Sequence, residues 1–433
     1  MRTPAALATV GIVASLVLAP ATSATAAPQC GTDPLGTAGK YAEFVEGDAT
    51  RYSDSEGAVA VGGDAHFGDG RTGQGFSVGA GLGGDDLGAL PSHNSLVVGG
   101  TLSANQVVLR KGSGVYGELR GTNRPGSFAI DGPHAQGSSP VDFKREFAAL
   151  RASSTAWAAL QANGTAARPT NGKALLLTGS DPERNVFTLN AADLQQANRM
   201  ALKVPAGSTT LVNVLGSSYD MAAAGLSGVE IWDPQSKAFV LDDYAAGSAA
   251  FKALRSKLLW NFPQATSLVK NSASWPGTIL APDAAVQLGN AKTGPGHVNG
   301  AVIARKLTSV PGAETHQMVF SGCLPAGRAP SKPLPSAAHP APTGTALPPP
   351  ATPKSSGTNG KKPSTPASPS PSATQAGSPT PTATPAPGAV EKGRLALTGG
   401  GVGPLFVTGA VATLLAGGAC TAYAVIRRRA SRR

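Results

Sequence analysis

Gly75-Phe-Ser-Val-Gly79 spells the pattern that surrounds an activated serine in many hydrolases. Such a serine needs a helix directly behind it, and Ala80-Gly-Leu-Gly-Gly84 is a poor helix start. Ser77 is therefore read as a chance match in a chain with 55 glycines. Asp48, Asp54, Glu56 and Asp64 could offer hard oxygens to Ca2+, but their spacing matches no calcium loop. They read as solvated turn acids. His66, His297 and His316 have no second histidine or cysteine at metal-ligand spacing. They read as hydrogen-bonded structural residues. Runs such as Gly79–Gly84 lack the lysine and following helix of a phosphate loop. No catalytic residue, metal site or cofactor emerges, and the chain is expected not to be an enzyme.

The three cysteines are Cys30, Cys323 and Cys420. Cys420 lies in a strongly apolar C-terminal stretch, while Cys30 and Cys323 flank the region able to fold. In an exported protein those two thiols most simply form one disulfide. Its long loop is worth roughly 4–5 kcal/mol in chain-entropy accounts. An internal thioester at Cys30 would call for a Cys-Gln pair, whereas the chain reads Gln29-Cys30.

These residues must be carried by β-structure. Ala58-Val-Ala-Val-Gly-Gly-Asp64 is echoed by Leu96-Val-Val-Gly-Gly-Thr101. Phe76-Ser-Val-Gly79 lies between them, and Gln106-Val-Val-Leu109 and Gly114-Val-Tyr-Gly117 follow. Short β-branched runs broken by Gly-Gly turns predict coils of a β-solenoid, with an antiparallel sandwich as the alternative. A helix is predicted next, with Asp142 as N-cap and Glu146 near the first turn. Phe143, Phe147, Leu150, Trp157 and Leu160 form its stripe, Ser154 allows close approach, and Asn163-Gly164 ends it. A second helix is expected from Gly247 to Leu259, with Phe251, Leu254, Leu258 and Leu259 inward. Further β-runs fall at Ala174–Thr178, Thr209–Leu215, Thr278–Leu280 and Val298–Ala304. The expected class is mainly β, with one or two packed α-helices.

From Arg328 to Val390 the chain is Pro, Ser, Thr, Ala and Gly, with 17 of its 36 prolines between Pro330 and Pro387. Such a segment cannot bury a core, so 328–394 is read as a disordered, PPII-biased stalk. At about 3.1 Å per residue it reaches on the order of 200 Å. The net charge of +11 is unevenly spread. Arg2 and the five tail arginines carry six of these charges, and residues 328–394 another net six. The remaining net charge, about −1, gives the foldable region no nucleic-acid footprint.

Gly47-Asp48, Ser53-Asp-Ser-Glu-Gly57, Val59–Asp64 and Leu96–Gly100 resemble the first half of the choice-of-anchor A adhesive domain. Leu259-Trp-Asn-Phe-Pro263, Trp275-Pro-Gly-Thr-Ile-Leu-Ala-Pro282 and His297-Val-Asn-Gly-Ala-Val-Ile-Ala304 resemble its second half, and Glu314-Thr-His316, Phe320 and Gly322 its end. The resemblance spans Leu35 to Cys323. It implies an adhesive, ice-binding-like solenoid without catalytic residues. Trp260, Phe262 and Trp275 are expected in the core, Leu259–Pro263 as a helix end, and Trp275–Pro282 as one proline-framed strand. Asn261 and Asn299 are expected to ladder or cap turns. Ice binders of this shape are similar to one another in flat Thr-x-Thr ladders, which this chain lacks, so ice binding is not expected.

Both ends carry targeting signals. Arg2, the apolar run Ala5–Ala19 and Ala24-Thr-Ala26 describe a signal peptide, 1–26, cut between Ala26 and Ala27. At the other end, Leu395, Ala396, Leu397, Thr398 and Gly399 precede an apolar stretch, 402–426, of membrane-spanning length. Arg427-Arg-Arg-Ala-Ser-Arg-Arg433 then stops transfer. This arrangement, 395–433, resembles the LAxTG signal of class E sortases. The resemblance implies cleavage between Thr398 and Gly399 and covalent transfer to peptidoglycan. The expected location is the wall of a Gram-positive, actinobacterial cell, with membrane contact only through the precursor's C-terminal helix. Residues 27–327 then form the adhesive head, whose ligand is an extracellular protein or glycan. A structural wall or spore-coat component without a ligand, or a β-helical carbohydrate-active enzyme, are the alternatives.

Overall fold

The computed structural model describes residues 30–31, 33–70, 72–121, 126–168 and 173–326. The expected signal peptide, stalk and sorting signal, with Ala26, Ala27, residues 395–399 and the 402–426 span, lie outside the described residues. Among the described residues no helix is long and apolar enough to cross a membrane.

The solenoid reading holds. Strands Glu43–Val45, Ala49–Arg51 and Ser53–Ser55 form a first coil, and Val59–Val61, Ala65–Phe67 and Phe76–Val78 a second. Among the described residues the strands stack into a 14-stranded, a 7-stranded and a 5-stranded sheet. Pairing is parallel between coils throughout the two larger sheets, which excludes the antiparallel sandwich. The sequence echo is a stacking register: Val59 lies against Leu96 and Val61 against Val98. The Gly-Gly pairs stack as well, Gly63 N–H donating to Gly47 and Gly100 N–H to Gly63. A Cβ on Gly99 would meet the Gly62 carbonyl oxygen at 2.4 Å, so this corner admits no side chain.

The coils are not stacked in chain order. The first coil lies mid-stack, with Glu43–Val45 between Val59–Val61 on one side and Val302–Ala304 on the other. The chain winds outward from there to His134–Gln136, whose residues are all exposed. The helix Phe143–Ala158 follows. Winding resumes in the opposite arm at Arg184–Asn190 and returns inward through Thr209–Leu215, Leu258–Asn261 and Thr278–Leu288. The last coil, from His297 to His316, thus docks on the first. Cys30 and Cys323 are disulfide-bonded in the second arm, where Cys323 N–H donates to Thr209 Oγ1, and Gly31 N–H donates to the Leu324 carbonyl.

The strand from Glu43 to Val45 and its neighbours form a face that is buried on both sides, so its residues alternate between two cores. Val45, Val59, Val61, Leu96, Val98, Trp260 and Ile279 fill the solenoid lumen. Phe44, Ala60, Val97, Leu259, Leu280 and Ile303 face outward and pack with Phe147, Leu150 and Trp157 of the long helix. That helix begins as expected, the Asp142 carboxylate accepting from Arg145 N–H at 3.1 Å. Its helical form ends at Ala158, so Leu160 lies beyond it. Asn163 instead closes the end of the solenoid, accepting from Val186 N–H and donating to the Arg184 carbonyl.

Four expectations change. The second helix spans only Ala249–Arg255. Leu258–Asn261 is a strand between Thr210–Asn213 and Thr278–Leu280, not a helix end. A strand buried on both faces reads as a continuous apolar run, which helical spacing can imitate over one turn. Trp275–Pro282 is likewise two strands on different faces, Trp275–Pro276 and Thr278–Leu288, joined at Gly277 with φ 85°. Val298–Ala304 splits the same way into His297–Asn299 and Val302–Ser309. Trp260, Phe262 and Trp275 are buried, as expected of core residues.

Candidate functional site: a carboxylate and histidine ledge

The 7-stranded sheet is the third face of the solenoid, and its register brings together residues far apart in the chain. Asp54 pairs with Glu314 and Glu314 with His297, while Asn299 pairs with His316. Intervening residues Ser55, Thr315, Val298 and Trp275 are buried, so Asp54, Glu314 and His297 share the outer surface. The 5-stranded sheet continues this side of the solenoid in the other arm and ends in the antiparallel strand Ala238–Leu241. The chain then crosses to the 7-stranded sheet. Asp242 takes a hydrogen bond from Ser274 Oγ at 2.5 Å and from Asn299 Nδ2 at 2.9 Å. Its other oxygen is ion-paired with Arg255 at 2.7 Å, and both side chains are fully buried. This anchor fixes Tyr244 over the sheet.

A row of rings results. Tyr244 lies 4.2 Å from His316, and His316 lies 5.1 Å from His297, centroid to centroid. Tyr244 is 46% exposed, whereas His316 is buried. His316 Nδ1 is 2.8 Å from Asn299 Oδ1, and Nε2 is 3.4 Å from Glu314 Oε2. Carboxylates surround the rings. Glu56 stands beside the Tyr244 hydroxyl, and Asp243 is 3.7 Å from His297 Nε2.

The charges perturb one another. Burial, then repulsion from Glu314, pushes the Asp54 carboxyl up to about 6. The hydrogen bond with His316 holds Glu314 below its usual range. Burial drives His297 down, and His316 adds to this. Behind the ledge, complete burial lowers the Lys270 ammonium to about 7, with Asp242 opposing the shift. The Lys270 Nζ donates to the Asn271 and Ala273 carbonyls. Two buried atoms of the ledge have no hydrogen-bond partner: Asp54 Oδ1 and His297 Nε2.

The acids expected as one group are thus divided. Asp54 and Glu56 belong to the ledge. Asp48 and Asp64 sit at the glycine corner, where each takes a backbone N–H from the next coil, Asp64 and Thr101 respectively. Asp48 also pairs with Lys306 at 2.8 Å. His66 is exposed on the second face, the part of the 14-stranded sheet that runs through Ala49–Arg51 and Ala65–Phe67. Ser77 sits within Phe76–Val78, and the next α-helix starts only at Gly84, so no nucleophile elbow forms. Among the described residues no group of three His, Cys, Asp or Glu is placed to hold a metal ion. Asn261 ladders with Asn213 at 2.9 Å, as expected, whereas Asn299 caps no turn and bonds the side chains of Asp242, Ser274 and His316. Tyr244, Asp242, Arg255 and Lys270 escaped the sequence reading because no motif marks them. The adjacent acids Asp242-Asp243 just before a tyrosine were the one available sign.

No curated protein matches the chain. Solved structures similar to it include an ice-binding protein from the Antarctic ascomycete Antarctomyces psychrotrophicus, at 12% identity and TM-score 0.24, covering 66% of this chain and 98% of that one. An ice-binding protein from an Antarctic Flavobacteriaceae bacterium gives 12% identity and TM-score 0.31, covering 70% of this chain and 52% of that one. A third, from an Antarctic biological consortium, gives 12% and 0.26, covering 66% and 91%. Residues 34–317 match the family described as "Putative Ice-binding-like adhesive domain". This match takes in both arms of the solenoid, the long helix and the ledge, and the chain belongs to that family of ice-binding-like adhesive domains.

Proposed function

We propose that the protein is an exported adhesin, carried on the cell wall by its C-terminal sorting signal, whose solenoid head binds an extracellular ligand. The observation that carries this reading is the adhesive-domain match over 34–317. The Cys30–Cys323 disulfide supports it, because such bonds persist in oxidising compartments outside the cytosol. Leu395–Gly399, the apolar run 402–426 and the closing arginines support the anchoring step. In that step a sortase cysteine attacks the Thr398 carbonyl, Gly399 leaves as the free amine, and a peptidoglycan amine then displaces the enzyme. Nothing about the outward residues favours ice as the ligand. On the second face the outer column reads Asp220, Val269, Gln287, Thr308, Thr50, His66, Ser103 and Arg120, with charges among its two threonines.

Mass spectrometry of wall fragments released by lysozyme tests the anchoring. The expected result is a peptide ending at Thr398 joined to a wall stem peptide. Recovery of only the intact chain in detergent extracts overturns it. An array of matrix proteins and glycans probed with the purified chain tests the adhesive part, and silence across the array counts against it.

A further inference from the structure

The 5-stranded sheet ends in a strand whose outer edge is bare. Ala238–Leu241 pairs antiparallel with Val229–Asp233 on one side and has no ladder partner on the other among the described residues. Asp242 N–H donates to the Val229 carbonyl, which fixes the parity of that ladder. Val240 therefore turns its backbone groups toward Ile231, while Phe239 and Leu241 turn theirs outward. Edge strands are ordinarily blunted by a charge, a proline or a bulge, and none interrupts Ala238-Phe-Val-Leu241. The strand is also open to solvent, with Leu241 51% exposed and Phe239 and Val240 only partly buried. In the same arm the edge at Arg184 and Val186 is instead closed by Asn163.

A second copy of the chain fits this edge in one register. Antiparallel pairing about a two-fold axis at Val240 sets Val240 against its own counterpart and Phe239 against Leu241 of the second copy. Both outward-turned residues then exchange N–H and C=O bonds across the axis. Phe239 and Leu241 share the face that carries Trp232, whose ring lies 5.3 Å from that of Phe239, so apolar side chains meet apolar side chains. Just beyond the strand ends, the same register sets Lys237 against Asp243 of the second copy, once on each side of the axis. Lys237 is exposed at the hairpin turn, and the Asp243 side chain is 67% exposed. Sliding the pair by two residues would set Lys237 against Leu241 instead, so the charges select the register. We propose that Ala238–Leu241 is a homodimerisation edge, across which the 5-stranded sheets of two copies join into one. That the paired copies meet outside the cell rests on the exported reading; the pairing itself does not.

The test is sedimentation equilibrium of the full chain in non-ionic detergent, carrying Cys420→Ser so that no free thiol remains. A reversible dimer is expected. Lys237→Glu sets like charges opposite each other at both ends and should weaken the dimer about tenfold, as should Asp243→Lys. The two substitutions together restore opposite charges and should restore the dimer. Leu241→Lys, a charge on the edge itself, should abolish it. Val240→Cys should form a disulfide between copies under mild oxidation, since facing residues of this kind lie about 4.5 Å apart at Cα. Ala135→Cys, on the exposed strand His134–Gln136, should not. Circular dichroism melts identify any variant that fails to fold, and the exposed Lys237 and Asp243 changes then decide the matter. A monomer at every concentration would leave the edge to a strand of another protein and overturn the proposal. So would a dimer indifferent to Lys237→Glu and Leu241→Lys, a charge swap that fails to restore pairing, or no cross-link at Val240→Cys. Because purified protein is used, failure of wall anchoring or of ligand binding would leave the outcome untouched.

Discussion

Glu43 occupies a lumen position between Val302 of the last coil and Val59 of the second, where a hydrophobic residue would be expected. Its carboxylate is saturated by Arg51 through Nε at 2.9 Å and Nη2 at 2.7 Å, and by Thr315 Oγ1 at 2.6 Å. Arg51 also donates to the carbonyls of Ala313 and Asp54. The pair therefore ties the first coil to the last in one register. Removing a single partner strands a buried charge, and Glu43→Leu or Arg51→Met alone should cost about 3–5 kcal/mol by urea denaturation. The double variant should recover most of that loss, since a well-packed apolar pair replaces a buried ion pair at little net cost. A double variant as unstable as the sum of the singles would rule this out.

Lys270 gives a second residue-scale prediction. Its folded-state pKa of about 7 lies below the ordinary 10.5, so between those values the folded chain binds fewer protons than the unfolded one. Stability must then rise with pH, by on the order of 3 kcal/mol from pH 7 to pH 9.5. Lys270→Met should flatten that rise, and urea midpoints across the window measure it. An unchanged slope in the variant would assign the effect to other groups. These residues also show where sequence reading stops. Asp54, His297 and His316 were visible singly, but their meeting depends on the last coil docking against the first, 243 positions from Asp54 to His297. No local spacing encodes such a pairing.

At the scale of elements, the long helix is held by polar as well as apolar contacts. Asn213 and Asn261 stand in register on adjacent strands and face it. Asn213 Nδ2 donates to the Trp157 carbonyl, and Asn261 Nδ2 to the Ser154 carbonyl at 2.8 Å. Ser154 Oγ returns a hydrogen bond to Asn261 Oδ1. The small residue thus permits close approach, and it also joins helix to sheet. Asn261→Ala should lose about 2–3 kcal/mol through stranded polar groups, and speed hydrogen exchange in 143–158. Protection that stays at the wild-type level would show that apolar packing alone holds the helix. This helix was legible in the chain because only its stripe is buried, leaving a 3.6-residue period. Leu258–Asn261 was misread because all four residues are buried and no alternation survives.

For the molecule as a whole, the repeated Val-Ala-Val-Gly-Gly and Leu-Val-Val-Gly-Gly runs revealed coils and their parallel stacking, but not the order of the stack. That order follows from the junction of first and last coils, which Glu43, Arg51 and Thr315 serve. The Cys30–Cys323 bond, beside Thr209 in the second arm, joins residues 293 positions apart. Replacing Cys323 by serine should lower stability by about 5–6 kcal/mol in the chain-entropy account for so long a loop, and thermal melts under reducing and oxidising conditions measure it. Equal melting temperatures in both conditions would show that the fold holds without the bond.

The midpoint placement of that junction sets how such a head can change in length. Each arm grows away from a shared waist, toward His134–Gln136 on one side and Arg184–Asn190 on the other. A duplicated coil spliced in at either tip would lengthen the shaft without moving a single residue of the waist. Reach and closure are thereby free to vary independently.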